Sequence, residues 1–337
     1  MEVITGRRHL DVPVGDPSRV GEARRHAAQL ARECGLDEVE AGRLAIIVNE
    51  LGTNLLRHAT DGRLLLGARP DRREVEVLAI DRGPGIGNLD RCMGDGYSTA
   101  GTPGTGLGAV RRQADVFDIH SQVPSGTIVL ARVHAAGLEP GSDQRLCAAA
   151  VSVPAPGERV CGDAWAFALD GDRAAVLVTD GLGHGVAAAE AAQHSVEEFM
   201  EEPLAPPRRM LERAHARLRS TRGAALMALH ADNGSGTVRS CGAGNVVARL
   251  VSGTTDRTLL TQHGTVGLTI RTPEETSVAW PPHALLVVCS DGIETRWKPE
   301  LLRPVLGRDP AIAAALLLRD HCRGRDDATV AVLRRKD

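Results

Sequence analysis

Aromatic residues and lysines are scarce in this chain of 337 residues. It has three Trp, three Phe and one Tyr, and its only lysines are Lys298 and Lys336. Few aromatic platforms for stacking bases and a net charge of −3 disfavour nucleic acids and anionic membranes as partners. A P-loop is excluded, because neither lysine follows a glycine-rich loop.

Cysteine pairs and long apolar runs are also missing. The seven cysteines are odd in number and include no C-x-x-C pair, so reduced, buried thiols are expected. The N-terminus shows no signal-peptide core, and no apolar run approaches the ~20 residues of a membrane span. We therefore expect a soluble, cytoplasmic protein, and the length suggests two domains.

The first half opens with two predicted helices. Asp16 before a proline marks the first helix start, and Asp37 with Glu40 resembles a capping box for the second. The second helix carries Glu50 and Asn54, and a spacing of four puts both on one face. Paired oxygen ligands can hold a hard cation such as Mg²⁺, although such a pair alone is more often a solvated polar stripe.

Three glycine-containing segments follow. A strand ends in the D-x-G-x-G sequence that starts at Asp81, and residues 87–103 lack periodicity, as a flexible loop or lid would. A G-x-G-x-G sequence from Gly104 then opens a helix predicted to reach about Val116, and its free amides suit a phosphate. A dinucleotide fingerprint is rejected here, because no apolar strand precedes the glycines. A strand over residues 126–133 closes this half.

In this order, the segments resemble the GHKL ATP-binding superfamily over residues 10–134, and most closely its anti-sigma and switch-protein serine kinases of the RsbT and RsbW type. The resemblance implies an α/β sandwich with helices on one face of a mixed sheet. Asn54 would ligate Mg²⁺ on ATP, Glu50 would activate the attacking hydroxyl, and Asp81 would bind the adenine amino group. The other implied ATP contacts are Gly83, Gly85, Gly104, Gly106, Gly108 and Thr127.

After a linker at 135–144, the second half alternates strands with two adjacent helices and a later one, as in a β-sandwich flanked by helices. Its turn Asp170-Gly171-Asp172-Arg173 predicts a two-residue hairpin loop. That register places Asp163 directly opposite Asp180, with Cβ atoms about 5 Å apart. Two opposed carboxylates destabilise a sheet unless something neutralises them, and a metal cluster would do so.

Further acids stand where other strands meet loops. Asp291 follows an apolar strand, and Asp326 and Asp327 precede the last one. Each alone reads as an ordinary turn residue, but all could converge with Asp163 and Asp180 at one end of the sandwich. Ligands that are all oxygen favour Mg²⁺ or Mn²⁺.

This acid set resembles the metal-dependent protein phosphatase (PPM) family, in its bacterial SpoIIE and RsbX branch, over about residues 145–335. The resemblance implies two Mn²⁺ or Mg²⁺ ions and hydrolysis of phosphoserine or phosphothreonine. Asp180 would bridge the ions, Asp327 would support the site, and His184 would either donate to the phosphate or leaving group or serve as a loop residue. The other implied metal ligands are Asp163, the Gly181 carbonyl, Asp291 and Asp326.

Together, the resemblances imply a bifunctional bacterial switch-protein regulator, with a kinase-like domain at 1–134 and a phosphatase domain at 145–337. One domain would phosphorylate a STAS-domain antagonist on Ser or Thr, and the other would remove phosphate. In the alternative, the first domain only senses ATP or binds a partner such as a sigma factor. Kinases of this type often dimerise, so the resemblance also allows a homodimer.

Overall fold

The computed structural model describes residues 1–6, 8–89, 92, 106–137 and 145–336. The chain divides into two compact units, one of residues 9–140 and one that joins residues 1–8 to 141–337. The first strand, β1 (Glu2–Gly6), explains this division, because it pairs with a strand of the C-terminal half. The expected domain of residues 1–134 therefore loses its first eight residues to the other unit.

The N-terminal unit is an α/β sandwich, as expected, with helices packed on one face of a five-stranded sheet. The strand order is β2-β3-β4-β6-β5, and every pairing is antiparallel, where the resemblance implied a mixed sheet. The elements are β2 (Leu10–Pro13), α1 (Pro17–Glu33), α2 (Glu38–His58), β3 (Arg63–Arg69), β4 (Glu74–Ile80), α3 (Gly106–Gln113), β5 (Val116–Gln122) and β6 (Gly126–His134).

Both long helices begin where side chains satisfy amides of the first turn, as predicted. Asp16 Oδ1 accepts from the Ser18 backbone N–H at 2.8 Å. Asp37 and Glu40 each accept the other's backbone N–H, at 2.9 and 2.8 Å, which completes a capping box. The apolar side of α2 is buried, namely Leu44, Ile47, Val48, Leu51 and Leu55.

One prediction in this unit is wrong: the helix expected to reach about Val116 ends at Gln113, and β5 begins at Val116. The sequence Val116-Phe117-Asp118-Ile119 holds β-branched and aromatic residues, which fit a pleated surface better than a helix. Strand β5 lies at the edge of the sheet, beside β6.

The C-terminal unit is built on a six-stranded sheet, β1-β8-β9-β10-β11-β16, and a five-stranded sheet, β13-β12-β17-β18-β7. Its strands after β1 are β7 (Leu146–Val153), β8 (Asp163–Asp170), β9 (Arg173–Gly181), β10 (Ala224–Asp232), β11 (Thr237–Ala243), β12 (Val247–Val251), β13 (Asp256–Leu259), β14 (Gly264–Thr265), β15 (Thr269–Ile270), β16 (Thr276–Ala279), β17 (Leu285–Cys289) and β18 (Ala328–Arg335). Its helices are α4 (Val186–Glu201), α5 (Pro207–Arg217) and α6 (Pro310–His321).

The core of this unit lies between the two sheets, where Trp165 and Phe167 of β8 meet Leu286 and Val288 of β17. Helices α4 and α5 cover the outer face of the six-stranded sheet, and α6 packs on β7 and β18. The unit is thus a β-sandwich flanked by helices, as expected. Among the described residues, no helix is both long and apolar enough to cross a membrane.

Candidate functional sites

The first candidate site is the pair formed by Asp163 at the start of β8 and Asp180 near the end of β9. The two are direct cross-strand partners, as the hairpin count predicted, and Asp170 pairs with Arg173 at the turn. Ser290 Oγ donates to Asp163 Oδ2 at 2.6 Å. The other oxygen of Asp163 is buried and has no hydrogen-bond partner in the described part of the chain.

The electrostatics of this pair favour a bound proton or cation. Burial raises the pKa of Asp180 to about 9, and the charges of the neighbouring carboxylates Asp163, Asp291, Asp326 and Asp327 add to the effect. Burial likewise raises the pKa of Asp163 to about 7, although the hydrogen bond from Ser290 opposes it. Buried carboxylates with few donors become stable as anions only when positive charge is supplied.

The structure brings the other predicted acids into the same neighbourhood. Asp291 follows β17 and Asp326 precedes β18, and these two strands are antiparallel neighbours. Burial and then the charge of Asp326 raise the pKa of Asp291, while Asn245 Nδ2 donates to Asp291 Oδ2. The strand ends therefore gather carboxylates at one end of the sandwich.

The carboxylates do not yet form a ligand set. Among the residues that the structure describes, no three His, Cys, Asp or Glu side chains stand together closely enough to hold a metal ion. The donors present are nevertheless all oxygens, which is the chemistry that Mg²⁺ and Mn²⁺ prefer.

Asp327 has a supporting position. Its Oδ1 accepts the backbone N–H of Ala155 at 2.8 Å, across 172 residues of sequence. A Cβ on Gly292 would lie 1.9 Å from the Asp327 carbonyl oxygen, so only glycine fits there. This hydrogen bond joins Asp327 to the segment between β7 and Asp163.

The loop after Asp180 is also packed closely. A Cβ on Gly181 would lie 2.1 Å from the Ala188 carbonyl oxygen, which permits only glycine. His184 Nδ1 lies 2.8 Å from Glu158 Oε1, a partner that the sequence did not indicate. A Cβ on Gly183 would lie 3.5 Å from Arg222 Nη1, so this exposed arginine stands beside the loop. Sequence reasoning missed Arg222, which lies beside this loop, and Arg323, whose charge acts on Asp291.

The second candidate site lies in the N-terminal unit, around Asp81. Asp81 Oδ1 accepts the Gly83 backbone N–H at 2.6 Å, and the Asp81 N–H donates to the Thr127 carbonyl oxygen at 3.0 Å. Thr127 is buried, and its hydroxyl lies 2.8 Å from Ser121 Oγ. Three residues implied in adenine binding are thus in one place, and Ser121 joins them.

Two glycines beside Asp81 are required by the close approach of other backbone. A Cβ on Gly83 would lie 2.9 Å from the His58 carbonyl oxygen at the end of α2. Gly85 has φ +73°, and a Cβ there would lie 2.6 Å from the Gln122 carbonyl oxygen. Both positions therefore exclude a side chain.

The remaining residues of this site lie on helices. Glu50 and Asn54 are partly exposed and one turn apart on α2. Gly106 and Gly108 form the first turn of α3, whereas Gly104 lies outside the described residues. The end of α2 is tied to the Asp81 loop, because the Arg82 N–H donates to the Thr60 carbonyl oxygen at 2.8 Å.

Comparisons with known proteins cover both units. Residues 14–133 match the histidine kinase-like ATPase domain, and residues 170–336 match stage II sporulation protein E (SpoIIE). The chain is 33% identical to serine/threonine-protein kinase RsbT of Bacillus subtilis (strain 168) over 111 residues. This aligned region covers 32% of this chain and 84% of RsbT.

Two solved structures are similar over more than half of the chain. One, reported for the bacterial stressosome, is 25% identical with a TM-score of 0.51, and covers 57% of this chain and all of its own. The other, RsbX in complex with magnesium, is 18% identical with a TM-score of 0.52, and covers 59% of this chain and 98% of its own. The chain therefore belongs to the RsbT family through its histidine kinase-like ATPase domain and joins that domain to a SpoIIE phosphatase domain of the PPM type.

Proposed function

We propose that this protein is a bifunctional switch regulator, which removes phosphate from phosphoserine or phosphothreonine of a partner protein and transfers phosphate from ATP to the same class of protein. The cross-strand pair of buried Asp163 and partly buried Asp180 carries the phosphatase half of the proposal. The partner that fits the RsbT relationship is a STAS-domain protein, with a sigma factor as the downstream target and a homodimer as a candidate assembly.

In the phosphatase unit, the oxygen donors fit two Mn²⁺ or Mg²⁺ ions. Among the described residues, the buried Oδ1 of Asp163 has no hydrogen-bond partner, and this oxygen and the raised pKa of Asp180 fit a site that binds cations. We assign the ions to Asp163, Asp180, the Gly181 carbonyl, Asp291 and Asp326. When bound, two such ions supply Lewis-acid polarisation of the phosphoryl group and activation of the attacking water.

The chain's own residues complete the chemistry. Arg222, exposed beside the 181–185 loop, grips the phosphate oxygens through its planar set of donors. His184, oriented through Nδ1 by Glu158, places Nε2 to protonate the leaving serine or threonine oxygen. Ser290 holds Asp163 in position through the hydrogen bond to Oδ2.

Phosphate release by the full-length chain tests this half. With Mn²⁺ and an aryl phosphate or a phosphorylated STAS protein, we expect turnover that EDTA abolishes. Asp291→Asn should lower kcat/KM more than about 100-fold, beyond the 10–100-fold that outer-shell residues of metal sites cost. Asp172→Asn, an acid at the other end of the β8–β9 hairpin, is the matched control and should retain activity. Full activity of Asp291→Asn would overturn the assignment.

In the N-terminal unit, we propose that ATP binds with its adenine against Asp81 and Thr127 and its phosphates at the start of α3. Asn54 would hold the Mg²⁺ of the nucleotide, and Glu50 would act on the attacking hydroxyl. Partial exposure of Glu50 and Asn54 on one face of α2 leaves both accessible to a nucleotide.

Labelled ATP distinguishes transfer from sensing. With a STAS-domain partner, label should reach serine or threonine of the partner with the wild-type chain and with Glu38→Gln, a control in the first turn of the same helix. Glu50→Gln should lose the transfer and keep ATP binding. Wild-type protein that binds ATP and labels no partner would instead identify a non-catalytic module that senses ATP or binds a regulator and gates the phosphatase.

A further inference from the structure

Large apolar side chains are exposed beside the loop that follows Asp180. Within residues 145–336, the large apolar side chains that the structure describes as exposed are Leu182, Val186, Met200, Leu260 and Leu268. Leu182 lies in the loop after Asp180, and Val186 is the first residue of α4. Their accessible fractions are 52% and 76%, and that of Leu268 is 53%. Single exposed apolar residues are common, whereas a group of them in one place indicates a binding surface.

Leu268 reaches the same loop from the turn between β14 and β15. A Cβ on Gly223 would lie 3.2 Å from Leu268 Cγ. The Gly223 carbonyl oxygen also accepts the Leu182 backbone N–H at 3.0 Å. Gly223 comes directly before β10, the strand that pairs with β9. Leu182 and Leu268 therefore both adjoin Gly223, at the end of the sheet that holds Asp180.

The turn that carries Leu268 is held in place on both sides. Val266 makes two backbone hydrogen bonds with Ala224 of β10, at 3.0 and 2.8 Å, and is fully buried. The Gly267 N–H donates to Nδ1 of His215 on α5 at 3.0 Å. Leu268 is therefore exposed at a fixed point of the backbone. An anchor that is fixed in advance loses little conformational entropy when a partner binds.

The same surface contains the two groups assigned to the phosphate ester. Arg222 comes directly before Gly223, and its Nη1 would lie 3.5 Å from a Cβ on Gly183. His184 is the next residue of this loop and is exposed. Neighbouring residues of a peptide lie about 3.8 Å apart. A peptide whose phosphate contacts Arg222 and His184 therefore brings the residues beside its phosphoserine against the exposed apolar side chains.

We propose that Leu182, Val186 and Leu268 form an apolar docking surface for the phosphoprotein substrate, which selects apolar residues directly beside the phosphoserine or phosphothreonine. This inference rests on the proposed phosphatase function and specifies its substrate class. The docking surface is continuous with the assigned phosphate site through Gly223 and the 181–185 loop. For that reason we assign it to the substrate and not to a second copy of the chain.

Steady-state hydrolysis by the full-length chain with Mn²⁺ tests the proposal on three substrates. One is N-acetyl-O-phosphoserine amide, which has no neighbouring residues. The others are two phosphoserine peptides of equal length and charge, with either leucines or serines on both sides of the phosphoserine. We expect kcat/KM for the leucine peptide to exceed that for the serine peptide at least tenfold, a factor that burial of about one leucine side chain supplies.

Variants of the docking surface make the result specific. Leu268→Gln should remove most of this preference and leave kcat/KM for N-acetyl-O-phosphoserine amide unchanged, whereas Leu268→Met, which stays apolar, should keep the preference. Val186→Gln, at the exposed start of α4, is a second variant and should act as Leu268→Gln does. Met200→Gln is the matched control, because Met200 is also exposed but lies roughly 21 Å along α4 from Val186.

The outcomes separate this inference from the proposed function. Equal kcat/KM for the two peptides, or an unchanged preference in both folded glutamine variants at Val186 and Leu268, would overturn the docking surface and leave the phosphatase function standing. A wild-type chain that hydrolyses none of the three substrates would refute both. Sedimentation gives the oligomeric state. A change of that state in Leu268→Gln, with the peptide preference retained, would identify a contact between copies of the chain and overturn the proposal.

Discussion

Asp163 and Asp180 are direct cross-strand partners, of which Asp163 is buried and Asp180 partly buried, and Ser290 Oγ donates to Asp163 Oδ2 at 2.6 Å. Burial is the largest cause of the raised pKa of each carboxyl, and repulsion by neighbouring carboxylates adds to it. The sheet therefore holds an arrangement that is unfavourable for the apo protein near neutral pH and becomes favourable once cations enter.

The first prediction concerns pH. With its folded pKa at about 9, above the ordinary 3.8, Asp180 binds a proton in the folded state that the unfolded state has released. Its contribution to stability is fully present below pH 3.8 and is lost as pH rises towards 9. The metal-free protein should therefore melt at a lower temperature at pH 8.5 than at pH 6.

Thermal denaturation with and without Mn²⁺ measures this dependence. Mn²⁺ should raise the melting temperature more at pH 8.5 than at pH 6, because it replaces the missing protons. Asp180→Asn, which has no charge to neutralise, should flatten the pH dependence and remove phosphatase activity. The argument from burial would be contradicted if the melting temperature of the metal-free wild type, relative to that of Asp180→Asn, rose between pH 6 and pH 8.5.

The second prediction concerns Arg222. If its guanidinium holds the substrate phosphate, Arg222→Ala should raise KM for a phosphoprotein and lower kcat/KM, and the loss of one charge-assisted contact corresponds to about 10-fold or more. Arg222→Lys should recover part of the loss, because it keeps the charge without the planar pair of donors. The neighbouring Arg219→Ala provides the control. Unchanged steady-state kinetics in Arg222→Ala would place this residue outside the site.

The hairpin shows how far the sequence alone could lead. A two-residue loop at Gly171-Asp172 fixes the register of both strands, and the side-chain period of two then fixes which residues face each other. The pairing of Asp163 with Asp180 was therefore predictable from a local signal. Asp291 and Asp326 were predictable only as acids at strand ends, and their convergence needed a family resemblance.

Other features have no local signal. Strand β1 is five residues long and pairs with β8, more than 150 residues later, so nothing near Ile4 indicates its partner. The contact of Glu158 with His184 and the position of Arg222 likewise depend on loops that only the folded sandwich brings together. A pattern of neighbouring residues does not encode the pairing of segments that are far apart in the sequence.

The third prediction concerns a buried ion cluster in the N-terminal unit. Glu76 is fully shielded from water, accepts from Arg69 and Arg132 at 2.8 and 2.7 Å, and lies 3.0 Å from His9 Nε2. The two arginines hold its pKa far below the ordinary value despite burial. Its stabilising contribution is thus present above about pH 4.5 and is lost as pH falls further.

Glu76→Gln should lower the stability of the N-terminal unit by about 3–5 kcal/mol, because it neutralises one of the two carboxylates, Glu74 and Glu76, that both buried guanidinium groups contact. Chemical denaturation followed by circular dichroism measures the loss. Glu33→Gln, on the exposed end of α1, should change it by less than about 0.5 kcal/mol. Equal stability of the two variants would mean that solvent reaches the cluster.

The fourth prediction tests whether the N-terminus belongs to the phosphatase unit. Gly6, the last residue of β1, lies against the ring of Trp165 on β8, and a Cβ there would be 1.6 Å from Cζ2 of that ring. Gly6→Ala should therefore force β1 or Trp165 to move, at a cost of about 1–3 kcal/mol.

Gly15→Ala is the matched control, since nothing lies within 4 Å of a Cβ at Gly15. In Gly6→Ala, the fluorescence of Trp165, which lies at the contact, should change, and phosphatase activity should be lost at a lower temperature. Both properties should be unchanged in Gly15→Ala. If the two variants have the same melting temperature and the same Trp165 fluorescence, β1 does not pair with β8 in solution, and residues 1–8 are not part of the C-terminal unit.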